Sequence, residues 1–491
     1  MLYFWLMRYT LLLSGIFFTI TATAQEKWDL KKCVEYAWQN NISVKQQEIQ
    51  AKFAALSEKQ AKNTVYPNTN FSTNMGLQFG RSVDPTTNQF TTTQLLFQQL
   101  NLNVDVMVFN WHRVKNSLIA AQFDYKAAAA NVEKTRNDIA LSVATSFLQA
   151  LLNKEQIAVA QIQFEQTKNQ LEETRKRVRA GALPELNATE LEAQLARDSA
   201  SIINAKATAD ISVLQLKALL NFDAAAPFEI DVPPVDKIPV EKIGDLLPDN
   251  VFQLAIKNQP AQKVNQLKLQ SSLTNIKVAK ASMYPSFSAF AGLGSNFSSS
   301  FKKITGYNFV GYDMPDPLAG AVNVAGTDYF FQQPKFNITQ GQKSFGELWK
   351  GYGNQLDNNF RQNVGIAVSI PIFSNGGSAR TAYERTKLEV KNAELTIKQA
   401  DQQLKQDIYQ AYTNASSALQ RYNASLVTLN ASEKTYNYAK KRYDVGLLGT
   451  FELITNQNNL NKAMTDKLLA QYEYVFRMKV LEFYKGQGLK L

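Results

Sequence analysis

Few side chains in this sequence could carry out chemistry. His112 is its one histidine and Cys33 its one cysteine. Any imidazole acid–base pair or histidine metal site would have to rest on His112 alone. Cys33 cannot pair within the chain, and among Leu30, Val34 and Ala37 it reads as a small packing residue on a helix. No glycine-rich phosphate loop, paired-cysteine zinc spacing or G-x-S-x-G elbow occurs. An enzyme has no constellation to build on, and no cofactor or metal is expected. The formal net charge is +11, from 53 basic and 42 acidic residues. The lysines are spread along helical segments rather than clustered. They read as solvated helix faces rather than a nucleic-acid surface.

The elements that would position any site begin with an export signal. Arg8 precedes an apolar run from Tyr9 to Ile20, followed by Ala22-Thr23-Ala24 before Gln25. This is the pattern of a cleaved secretory signal peptide over residues 1–24. A membrane anchor is the other reading, but the run is short of the ~20 residues a spanning helix needs. No later stretch is apolar enough to span a bilayer as a helix. The chain is therefore expected to be exported, and to be either soluble or a β-barrel.

The chain repeats its plan once. Val65-Tyr66-Pro67 is echoed by Met283-Tyr284-Pro285, Val108-Phe109-Asn110 by Ile372-Phe373-Ser374, and the Arg177–Gly181 run by Arg442–Gly446. The first pair is offset by 218 residues, the others by 264 and 265, so about 46 extra residues lie between the second pair of motifs. They fall within 295–360, a Gly-, Ser-, Asn- and aromatic-rich stretch without helical period that reads as an extended loop. Each half also holds two runs of period-two alternation. Phe71-Thr73-Met75-Leu77-Phe79 and Leu100-Leu102-Val104-Val106-Val108 belong to the first half, and Phe287-Ala289-Ala291-Leu293 and Val364-Ile366-Val368-Ile370 to the second. Each predicts a strand with one apolar and one mostly polar face. A half-buried soluble sheet would give the same pattern. Four such runs in an exported chain favour lipid on one side and water on the other.

Between the strand pairs run long helical tracts. No proline occurs from Trp111 to Leu183 or from Ile372 to Leu491, whereas Pro227, Pro233, Pro234, Pro239 and Pro248 mark a linker over 223–248. The tract from Lys115 to Arg179 would reach roughly 100 Å as a helix. Ile139, Val143 and Phe147 form one apolar stripe on it, and Leu141, Leu148 and Leu152 another nearly opposite. Two stripes imply a neighbour on each side, in a curved wall of helices or in a coiled-coil core. Gly181-Ala182-Leu183-Pro184 and Gly446-Leu447-Leu448-Gly449 are stop-and-restart signals that fold each tract into an antiparallel hairpin.

Taken together, the chain resembles the TolC-like outer-membrane efflux proteins over essentially its whole length after the signal. The marks are the duplicated strand–strand–helix–helix plan, the Tyr-Pro opening of each half's first strand, and the Val445-Gly446-Leu447 turn. Pro371-Ile372-Phe373 leading through Asn375-Gly376-Gly377 into a helix is another. The first half departs at Asn110-Trp111-His112, which lacks the proline and the double glycine. The resemblance implies a fold that is mainly α with membrane β. Four strands from each subunit of a homotrimer would close a 12-stranded transmembrane barrel, continued by a long periplasmic α-helical barrel. It implies two efflux repeats, 25–222 and 249–491, on either side of the linker. It places the protein in the outer membrane as the exit duct of a tripartite system exporting small molecules such as drugs. Its partners would be a periplasmic adaptor, an inner-membrane transporter and outer-membrane lipid. A duct for type I protein secretion and a soluble periplasmic coiled-coil adaptor or scaffold are the competing readings.

The same resemblance assigns sites. The adaptor-binding tips would be Val445, Gly446 and Leu447, with Ala180, Gly181 and Ala182 as a weaker copy and Arg177 and Arg442 preceding them. A simple helix stop also accounts for both glycines. The periplasmic gate would involve Tyr443 and Glu452, with Asn187 at the position equivalent to Glu452. Threefold symmetry would make Glu452 a ring of three carboxylates; a solvated helix carboxylate is the plainer reading.

Overall fold

The computed structural model describes residues 27–83, 90–91, 94–231, 240–313, 320–372 and 377–486. The expected signal peptide over 1–24, Pro233, Pro234 and Pro239 of the expected linker, and the run Phe373–Gly376 lie outside the described residues. The chain divides into two compact units. One takes in residues up to 58, 119–274 and 387 onward; the other holds 59–118 and 275–386.

The first unit is helical. Short helices α1 (Leu30–Asn40) and α2 (Ile42–Asn63) are followed later in the chain by α3 (Arg113–Arg179) and α4 (Glu185–Leu220). The second half supplies α5 (Pro248–Asn258), α6 (Pro260–Ala281), α9 (Ser378–Asp444) and α10 (Thr450–Tyr484). The two hairpins match closely: α3 and α4 have 67 and 36 residues, α9 and α10 have 67 and 35. Both apolar stripes of α3 are used. Val143, Phe147, Leu148, Leu151 and Leu152 are buried in one cluster with Cys33 of α1, Leu216 and Leu220 of α4 and Tyr472 of α10. Burial first, then Asp29, pushes the Cys33 thiol up to about 12, so it packs there as an inert small apolar group. A second cluster joins α5 to α9 and α10 through Val251, Ala255, Ile408, Ala415, Met478 and Leu481.

The second unit is built on β1 (Asn68–Gln78), β4 (Leu95–Phe109), β5 (Ser286–Ser300) and β10 (Arg361–Ser369), which form one antiparallel sheet in the order β1-β4-β5-β10. The register puts every expected apolar run on the same face. Phe71 is level with Leu102 and Leu293, Val104 with Ala291 and Val364, and Val106 with Ala289 and Ile366. The opposite face carries Asn70, Asn103, Gly292 and Asn363 in one row and Ser72, Asn101, Gly294 and Arg361 in the next. Apart from Leu96 and Phe297, which are buried, the apolar face is largely exposed: Phe71, Met75, Ile366 and Val368 are more than half exposed and Val364 is 85% exposed. At Gly365 a side chain would collide with the Phe290 ring, whose Cζ lies 2.7 Å from where a Cβ would stand. The ring covers the glycine, as aromatics do in strongly curved sheets.

The turn after β4 is made without glycine. Trp111 and His112 take positive φ of 52° and 62°, a conformation costing roughly 1–2 kcal/mol per residue. Trp111 is held there by Nε1 donating to the Pro285 carbonyl at 2.9 Å and by its ring against Tyr284 at 5.0 Å.

The segment expected as an extended loop, 295–360, is instead largely regular. After β5 runs to Ser300, β6 (Lys302–Tyr312) pairs with β9 (Pro334–Gln342), β7 (Ala321–Val324) pairs with β8 (Thr327–Phe330), and α7 (Phe345–Leu348) and α8 (Tyr352–Asn358) precede β10. In the first half a shorter excursion, β2 (Ser82–Val83) with β3 (Phe90–Thr91), holds the matching place. Bulges between Ile304 and Gly306 and between Phe309 and Gly311 reset the alternation twice within β6. That hides a strand from a period-two reading. The helices are too short to show a stripe.

Helix α7 is anchored by charge. Ser344 and Glu347 form a reciprocal capping box, and Glu347 Oε1 accepts from Lys303 Nζ at 2.7 Å. Lys303, and then the Ser344 backbone and hydroxyl, hold the Glu347 carboxyl at about 2, against 4.5 ordinarily. A depressed carboxylate stabilises the folded state fully above its unfolded value and loses that contribution as pH falls toward its folded one. The α7 anchor should therefore weaken between about pH 4.5 and 2. Fluorescence of the neighbouring Trp349 should shift over that range in the native protein and not in Glu347→Gln. An identical titration in both would remove the carboxylate from this role.

Candidate functional site

The two hairpin tips are built alike, from the same backbone motif. Gly181 and Gly446 take φ of +71° and +78°. In the first tip the Gly181 amide donates to the Val178 carbonyl and the Ala182 amide to the Arg177 carbonyl, both at 2.9 Å. In the second, Gly446 donates to Tyr443 at 3.0 Å and Leu447 to Arg442 at 2.8 Å. Each is a Schellman ending, in which a left-handed residue lets two amides turn back onto the last helical carbonyls. The restart differs, with Pro184 as N-cap in one tip and Gly449 in the other, neither bonding through a side chain.

At the tips the structure brings the hairpins of one chain together. Tyr443 is buried, 3% exposed, with its hydroxyl 2.9 Å from Thr174 Oγ1 of α3. It packs against Ala439 and Leu453. Arg177 of the first tip donates to the Asp444 carbonyl at 3.2 Å, and its guanidinium lies 3.8 Å from the Asp444 carboxylate. Arg442 is exposed and reaches the Leu447 carbonyl at 3.4 Å.

The remaining expected residues stand apart from this contact. Val445 and Leu447 are 70% and 69% exposed, and Ala180, Gly181, Ala182 and Gly446 are also exposed. Glu452 is exposed in the first turn of α10, where a carboxylate suits the helix dipole. Its carboxylate makes no hydrogen bond or ion pair among the described residues. Asn187, half-buried in the first turn of α4, donates its amide to the Pro184 carbonyl. No hydrogen bond among the described residues joins Tyr443 to either Glu452 or Asn187.

Behind the tips runs a buried polar seam that the sequence reading missed. Asp198, 2% exposed, accepts from Thr167 Oγ1 at 2.6 Å, Gln163 Nε2 at 2.7 Å and Gln194 Nε2 at 2.8 Å. Gln457 of α10 donates to Thr167 at 3.0 Å, and Gln194 reaches Asn458 at 3.3 Å, which ties the first hairpin to the second. The available signal was the polar line Thr167, Gln170, Thr174 at i, i+3, i+7, in place of the apolar stripe used higher on α3. A satisfied buried network of this kind fixes one register between helices where apolar packing would permit several.

A chain with this fold matches known proteins. The family model described as outer membrane efflux protein matches residues 34–221 and 333–486, one segment in each half. The chain belongs to the outer membrane efflux protein family. Among solved structures of similar fold is CusC, with a TM-score of 0.72 and 15% identity over 94% of this chain and 92% of that one. The outer membrane protein VceC of Vibrio cholerae gives 0.69 and 15%, over 94% and 97%. The MtrE outer membrane channel of Neisseria gonorrhoeae gives 0.67 and 18%, over 94% and 89%. Toxin and drug export protein A of Aggregatibacter actinomycetemcomitans is 22% identical over 303 residues, 55% of this chain. The match spans 64% of that relative's length. The matched segment of each half takes in one long hairpin, α3 with α4 in the first and α9 with α10 in the second.

If the Tyr443–Thr174 bond joins the hairpins, Tyr443→Phe and Thr174→Val should be non-additive, with a coupling of about 0.5–1.5 kcal/mol. Urea unfolding of the helical signal for the two single variants and the double variant measures it. Strict additivity would mean the bond contributes nothing.

Proposed function

We propose that three copies of this chain close a 12-stranded barrel in the outer membrane, continued by a helical barrel in the periplasm. In this reading residues 1–24 are the signal peptide, and the repeats 25–222 and 249–491 each give two strands and one hairpin. The observation that carries it is the sheet: one face mainly apolar and largely exposed, the other mainly polar, with an open edge along β1 and another along β10. Open edges are not tolerated in lipid, and closure by identical neighbours removes them. Aromatic residues flank the apolar rows, with Phe109, Trp111 and Tyr284 near one end and Phe297, Trp349 and Tyr352 near the other. Phe287 and Phe297 stand ten residues apart on β5. That spacing is about 34 Å along a strand, or ~26 Å across a barrel tilted by ~40°, close to the apolar band of membrane barrels.

The duct would export small molecules, working with a periplasmic adaptor and an energised inner-membrane transporter. The drug-export relative supports that cargo class. Its name also includes toxins, which favours protein secretion as the second reading. The soluble adaptor reading leaves the bare apolar sheet without a purpose. The family's channels give no reason to assign catalysis. The adaptor would dock at the exposed tips, Val445, Gly446 and Leu447 with Arg442, and Ala180, Gly181 and Ala182 with Arg177. Tyr443 would hold the second hairpin closed. Glu452, repeated by the threefold axis, would set a ring of three carboxylates across the mouth, with Asn187 at the neutral copy of that position.

Two measurements address the duct and its mouth. Glu452→Ala should lower the cation-over-anion permeability ratio by about twofold or more in single-channel recordings; an unchanged ratio would take Glu452 out of the mouth. A deletion strain should become drug-sensitive and be rescued by the native chain but poorly by Leu447→Asp. Unaltered drug sensitivity together with unaltered protein secretion would sink the duct reading.

A further inference from the structure

Away from the tips, the two hairpins of one chain leave a cleft between them. It has a volume of about 620 Å³, and α3, α9 and α10 all contribute to its lining. Leu148 and Leu152 of α3 and Leu469 and Phe476 of α10 make up its apolar part. Leu148 and Leu152 are buried, Phe476 is half-buried, and Leu469 is 37% exposed.

The charged part of the lining centres on one carboxylate. Arg421 Nη2 donates to Glu473 Oε1 at 2.8 Å, and Arg477 Nη2 lies 3.6 Å from the same oxygen. Sharing that oxygen keeps the two guanidiniums within reach of one small anion. Glu473 offsets only one of their two positive charges, and Arg477 Nε is buried without an acceptor. Two other acids stand nearby. Asp466 is exposed, seven residues before Glu473 and so about 10 Å away along α10. Asp407 lines a smaller recess, about 130 Å³, that shares Arg477 with the cleft, and it accepts from Gln403 at 2.8 Å. Neither makes an ion pair with Arg421 or Arg477 among the described residues. A cation would have to approach Glu473 past both guanidiniums, whereas an anion meets a positive surplus. A bare inorganic anion would gain nothing from the leucines. A cleft of this size, mostly apolar with a few convergent polar groups, suits a small organic molecule.

We propose that this cleft binds a small amphiphilic acid. The planar guanidiniums of Arg421 and Arg477 take its carboxylate, the group their donor geometry fits best. Its hydrocarbon body lies against Leu148, Leu152, Leu469 and Phe476. Because α3 forms one wall and α9 with α10 the other, the ligand bridges the two hairpins. The site lies wholly within the helical unit, apart from the tips, and stands whether or not the sheet closes into a barrel.

The test is calorimetric titration of the full-length protein in amphipol with naphthoate, naphthalenemethanol, naphthylmethylammonium and acetate. Naphthoate should bind, and each of the other three at least about tenfold more weakly. Arg421→Gln with Arg477→Gln should weaken naphthoate binding by about tenfold or more, and Leu469→Asn by about fivefold. Lys398→Gln with Lys440→Gln makes the same change of charge at exposed positions of α9 outside the cleft and should bind as the native chain does. Native-like binding by the arginine variant would overturn the site. So would an equal loss in the lysine control, which would mean a general field effect. Naphthalenemethanol binding as well as naphthoate would reduce the cleft to an apolar crevice and overturn the head-group assignment. If the arginine variant loses its helical signal, the probes and Leu469→Asn decide. Equal affinity for naphthoate and acetate, with Leu469→Asn unchanged, then sinks the proposal. None of these outcomes bears on the barrel, so the two claims fail separately.

Discussion

Unpaired backbone along the outer sides of β1 and β10 constrains this molecule more than any side chain does. Each outer strand bonds on one side only, and the face between them is apolar from Phe71 to Val368. In water such a sheet invites aggregation; in lipid its unsatisfied amides and carbonyls would each cost several kcal/mol. In the proposed barrel, closure by copies of the same chain would satisfy the backbone, and lipid would cover the apolar face. The polar rows Asn70–Asn363 and Ser72–Arg361 would then line water. Duplication makes this economical, because each half contributes two strands and one hairpin.

The helical unit solves a different problem. Two hairpins of nearly equal length must keep one register along their whole span. Apolar clusters around Leu151 and Met478 supply most of the adhesion. Toward the tips the contact becomes polar, through Asp198, Thr167, Gln457 and finally Tyr443 with Thr174. Hydrogen bonds of this kind specify position and are individually modest, about 1 kcal/mol each. The hairpins are therefore held firmly where they are apolar and lightly near their ends. The exposed tips then sit at the end of a rigid scaffold.

Much of the fold was legible because its constraints are one-dimensional. A strand with one apolar and one polar face must alternate, so Phe71–Phe79 and Val364–Ile370 announce themselves. A helix with neighbours on two sides must carry two stripes, and Val143 and Leu148 do so. What stayed hidden depends on distant partners or on broken periods. Thr174 lies 269 residues from Tyr443, and nothing in either neighbourhood names the other. The seam around Asp198 looks like an ordinary solvated face until α10 covers it. Two bulges disguise β6, and the turn at Trp111 and His112 lacks glycine because Tyr284 and Pro285 hold it in place. Of the candidate site, the tips could be located from Gly181 and Gly446. The buried state of Tyr443 could not, since tyrosine beside a turn is as often exposed.

The central claim is that the sheet is one third of a closed membrane barrel. Electrophoresis of the isolated outer-membrane fraction, with and without heating, tests it most directly. The account predicts a detergent-resistant band at three times the chain mass that collapses to a single chain on boiling. A protein recovered from the soluble periplasmic fraction as a monomer would contradict it.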